Sequence, residues 1–87
     1  MLLTTGYEVA WTDVGDADLN DPDDNESIGK RLSSNRRVLT VSELESEVGD
    51  TEQIALFCYY NVPAGLSDKL LKSVRWLRSI YKPDFTE

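Results

Sequence analysis

The chain has 87 residues, 40% of them hydrophobic, with sixteen acids, nine bases, no histidine and a net charge of −7. A chain this short buries only about 60 to 65% of its unfolded surface, which suffices for one core and leaves little room for a deep, walled cavity. The lack of histidine excludes imidazole bases, catalytic triads and imidazole metal sites, and the negative charge argues against general affinity for nucleic acid or anionic membrane.

The first stretch, "MLLTTGYEVAWTDV", alternates. Leu3, Tyr7, Val9 and Trp11 fall on one side and Thr4, Glu8 and Thr12 on the other, which predicts a half-buried strand over about 2–12. It has no basic n-region and no long apolar core, so we expect no signal peptide. Residues 13–27, "DVGDADLNDPDDNES", then hold seven carboxylates and no base. Gly15 and the Asp/Asn/Pro cluster break regular structure, so we expect an irregular, mobile acidic loop. From Asp16 it imitates an EF-hand at Asp16, Asp18 and Asn20. The sixth position is Asp21 instead of glycine, however, and the twelfth is Ser27 instead of a bidentate glutamate, so no specific calcium site is expected. Asn25-Glu26-Ser27 matches a glycosylation sequon, which carries no weight without export.

"IGKRLSSNRR" (28–37) reverses the charge, with four bases and no acid. In a chain this acidic we expect these bases to pair internally rather than to grip phosphates. "RRVLTV" (36–41) predicts a second strand. In 41–50, Val41, Leu44 and Val48 recur at helical spacing before Gly49, so a short acidic helix should follow. "TEQIALFCYYNV" (51–62) is ambiguous. Its continuous apolar run suits a buried central strand, whereas Asp50 with Gln53 imitates a capping box; aromatic content and the closing "NVPAG" turn favour the strand. Cys58 within it is a single thiol, unable to form an internal disulfide and expected to be buried and inert.

The last element is a helix capped at Ser67 and running to about Tyr81, before Pro83. Leu66, Leu70, Val74, Leu77 and Tyr81 form one apolar stripe. Trp76 and Ile80 sit at its flank, with Trp76 between Lys69 and Lys72. No run is long enough to cross a membrane.

These elements predict an α+β fold in one small acidic domain over 1–87. Two or three antiparallel strands would carry a short acidic helix and a C-terminal amphipathic helix packed on the sheet. No nucleophile–base pair, phosphate loop or metal-ligand spacing occurs, so neither an enzyme nor a bound cofactor or metal is expected. We expect a cytoplasmic, non-catalytic inhibitor or modulator that occludes the basic, nucleic-acid-binding surface of a partner protein, as a nucleic-acid mimic does. The candidate partner-binding residues are Asp13, Asp16, Asp18, Asp21, Asp23, Asp24, Glu26, Glu43, Glu45, Glu47 and the aromatic anchor Trp76. Two alternatives stay open. One is a helix-turn-helix regulator, with residues 41–82 read as three helices and the basic last helix placed on nucleic acid. The other is a structural subunit that self-associates through its Trp76 edge.

Overall fold

The computed structural model describes residues 6–18 and 20–80, the last two by their backbone alone. The expected strand start at residue 2 and the end of the stripe at Tyr81 therefore lie outside the described residues. Strand β1 spans Tyr7–Asp13, helix α1 Pro22–Ser34, strand β2 Arg37–Leu39, helix α2 Val41–Val48, strand β3 Ile54–Cys58 and helix α3 Asp68–Ile80. The three strands form one antiparallel sheet in the order β2-β1-β3, with Val9 opposite both Arg37 and Cys58. Three helices pack on this sheet, an α+β fold.

The register sorts side chains into two apolar clusters, one per face. Val9, Leu39, Ile54, Leu56 and Cys58 meet Leu44 and Val48 of α2 and Leu70 and Val74 of α3. Ala10, Ala55, Phe57 and Tyr59 meet Ile28 and Leu32 of α1 and Leu77 of α3. Each large side chain so buried is worth about 1.5–3 kcal/mol. β1 is thus not a strand with one wet face, because α1 buries Ala10 on the side that Thr12 and Glu8 had marked as polar.

Two expectations are corrected. The acidic stretch is not irregular through residue 27, because α1 begins at Pro22. Asp21 is the N-cap, its side chain accepting from the Asp23 amide. Pro22 occupies the first turn, where its missing N–H costs nothing, and Asp23 and Asp24 face the positive end of the helix dipole. Residues that form turns elsewhere here start a helix. Second, residues 54–58 form a strand, so 41–80 is not three successive helices and the helix-turn-helix frame is absent. That strand is buried at every position, as its apolar run implied, yet it lies at the sheet edge and not in the centre. α3 packs chiefly on β3 and contributes to both clusters, so it covers the edge that another strand would have covered.

α2 follows its local code closely. Thr40 and Glu43 form a complete capping box, and the helix stops at Gly49, whose φ of 53° suits a residue without a Cβ. No helix among the described residues is long and apolar enough to cross a membrane.

Candidate functional site

The acids of residues 13–26 are held by backbone hydrogen bonds. Asp13 Oδ1 accepts from the Gly15 amide at 2.8 Å, and Asp18 Oδ1 accepts from the Asn20 amide at 2.9 Å. Asp21 Oδ1 caps α1 through the Asp23 amide at 2.9 Å, and Asp24 Oδ2 reaches back from α1 to the Asp18 amide at 2.7 Å. That last bond ties the turn to the helix, so the carboxylates sit on an ordered turn-plus-helix unit. In each of these bonds one carboxylate oxygen is engaged. Asp16 and Asp23 are exposed and touch no partner among the described residues. Glu26 lies 3.5 Å from Lys30 one turn along α1, and both side chains are well exposed, so the pair contributes little.

The glutamates of α2 are committed to the fold. Glu43 closes the capping box by accepting from the Thr40 amide at 2.9 Å. Glu45 accepts from the Ser67 amide at 3.3 Å, ahead of α3. Glu47 takes a two-pronged grip from Arg37 and a bond from Trp11 Nε1 at 2.9 Å. The Arg37 and then the Trp11 hydrogen bonds lower the Glu47 pKa below its ordinary 4.5.

The basic segment 28–37 does pair internally. Besides Lys30 and Arg37, Arg31 donates to the Asp13 carbonyl at 3.1 Å and Arg36 binds Glu8 at 2.8 Å. The Glu8 bond raises the Arg36 pKa, and its guanidinium lies 4.0 Å from the centre of the Tyr59 ring. Tyr59 in turn meets Phe57 edge-on. Cys58 is buried, and desolvation lifts its thiol to about 11, which suppresses the reactive thiolate.

Trp76 is half-buried against the second cluster. It lines an open groove of about 300 Å³ with Val14, Gln53, Ile54, Lys72 and Ser73. The groove sets Trp76 beside the acidic turn, because Val14 lies between Asp13 and Gly15. Sequence reasoning missed Val14, Gln53, Ile54, Lys72 and Ser73. No local signal marks them, since the groove exists only where the end of β1, the start of β3 and α3 converge. A second, shallower hollow runs along α1 past Pro22, Glu26, Gly29 and Ser33. Val38 and Tyr60 are the large apolar side chains left exposed among the described residues.

Among the described residues no three carboxylate or thiol groups converge as a metal site. Compared with protein-family models, curated proteins and solved structures, the chain matches none.

Proposed function

We propose that this chain is a non-catalytic, cytoplasmic binding protein that covers a basic surface of a partner protein with the carboxylates of residues 13–26. The observation that carries the proposal is the hydrogen-bonded order of that segment. A mobile acidic loop would lose conformational entropy on binding, whereas carboxylates fixed by the Asp13, Asp18, Asp21 and Asp24 bonds avoid most of that cost. Fixed carboxylates on a turn and a helix can also stand in for phosphates, which a duplex presents about every 1.7 Å along its axis. The partner would then be a nucleic-acid-binding protein, and the mechanism occlusion of its phosphate-binding surface.

The proposed surface is narrower than the sequence set. Glu43, Glu45 and Glu47 hold the fold together, and Trp76 is bordered by Lys72, which a basic partner would meet as like charge. The test starts from nuclease-treated lysate of the native host passed over the immobilised chain and eluted by a salt gradient. The retained protein is then titrated with the wild type and with a D16N/D23N/E26Q variant. The variant should bind roughly tenfold more weakly, with a flatter salt dependence, and duplex nucleic acid should displace the wild type. Unchanged affinity in the variant would remove the acidic segment from the mechanism.

A further inference from the structure

The groove at Trp76 has banks of opposite charge. Its acid bank follows from chain position: Asp13 and Asp16 bracket Val14, and Glu52 precedes Gln53, all three exposed. Arg31, donating to the Asp13 carbonyl, is the base nearest that bank. The basic bank is α3. Lys72 lines the groove, and Arg75 and Arg78 follow at steps of three residues, which puts them on one ridge of the helix. All three are exposed, and no acid pairs with them among the described residues. Between the banks lie the apolar side chains of Val14, Ile54 and Trp76.

Few occupants fit such a face. A wholly basic surface suits Asp13, Asp16 and Glu52 but meets Lys72 and Arg75 as like charges. A polyanion suits the ridge and is repelled by the acid bank. A surface carrying both signs in this order across an apolar centre fits throughout, and a second copy rotated by 180° has that order by construction. We propose that two copies of this chain associate about a two-fold axis through this groove. The acid bank of each copy then lies on the Lys72–Arg75 ridge of the other, and the Trp76 grooves close on each other as the desolvated centre. This association does not rest on the foreign partner proposed above.

The experiment is light scattering coupled to gel filtration on the full chain, with three variants or mixtures beside the wild type. At about 0.1 M salt, where the screening length is about 10 Å, the wild type should run at twice the chain mass of 9.8 kDa. At about 1 M, with screening at about 3 Å, it should fall to one chain mass. K72E/R75E and D16K/E52K should each be monomeric at low salt while keeping the wild-type circular dichroism. Mixed in equal amounts, they should regain the dimer mass, since one variant is then acidic and the other basic on both banks. D16K/E52K is the sharper single test. It moves the net charge from −7 toward zero, so general repulsion predicts more association where bank-to-bank pairing predicts less. A monomeric wild type at low salt, a dimer that survives both reversals, or a mixture that stays monomeric would each overturn the proposal. Masses that climb beyond the dimer with concentration would replace the two-fold contact by a head-to-tail one and overturn it equally.

Discussion

Glu47 shows how a residue that reads as free surface charge is spent on structure. Its carboxylate receives both Arg37 donors from β2 and the Trp11 indole from β1, joining the start of the sheet to α2. Nothing at position 47 announces this, because Trp11 is 36 residues away in the chain. The side chains remain about a third to a half exposed, so solvent screens the pair and E47Q should cost only about 1 kcal/mol in urea unfolding. The pH dependence has a definite sign. A carboxylate whose folded pKa lies below its ordinary 4.5 contributes stability that is present above that pH and lost as pH falls through the folded value. Wild type should therefore lose stability below pH 4.5 more steeply than E47Q, and parallel curves would deny Glu47 that role.

At the scale of elements, local codes were legible where a single signal dominated. Thr40, Glu43 and Gly49 bracket α2, and the stripe from Leu66 to Leu77 marks α3. α1 was missed because its start is written in residues that also make loops: aspartate, asparagine and proline. Asp21 before Pro22, with acids in the next turn and Ile28 and Leu32 four apart, is nonetheless a complete helix start with a buried stripe. The cap makes a direct prediction. D21A should destabilise the protein by about 1 kcal/mol, while D21N, which keeps the accepting oxygen, should stay within a few tenths. Equal losses in urea melts of the two would mean that charge, and not the cap bond, is what Asp21 supplies.

For the whole molecule the decisive feature is the placement of α3. β3 is an edge strand with five consecutive buried residues, a hazard for edge-to-edge aggregation if uncovered. α3 lies on it and reaches both faces through Leu70 and Val74 on one side and Leu77 on the other. Leu77 and Leu32 are both fully buried, so L77A and L32A should each cost about 2–5 kcal/mol. Their consequences differ. Loosening α3 exposes the β3 edge, whereas loosening α1 uncovers one sheet face. At denaturant concentrations giving equal unfolded fractions, L77A should scatter more light than L32A. Equal scattering would mean that α3 does not protect the edge.

The sequence by itself determined what depends on neighbours within about four residues. The alternation of Tyr7, Val9 and Trp11, the capping box at Thr40, the glycine stop and the stripe of α3 specify elements because backbone hydrogen bonding and side-chain period are local. Composition likewise bounded the chemistry, since missing residue types cannot be supplied by folding. Only the tertiary structure decided that β1 is the central strand and β3 the edge. It also decided that Glu43, Glu45 and Glu47 serve the fold while the acids near α1 stay open to solvent, and that Asp16, Trp76 and Lys72 share one groove. An apolar run records that a strand is buried but not whether a strand or a helix buries it. A carboxylate's role is set by which distant donor reaches it first.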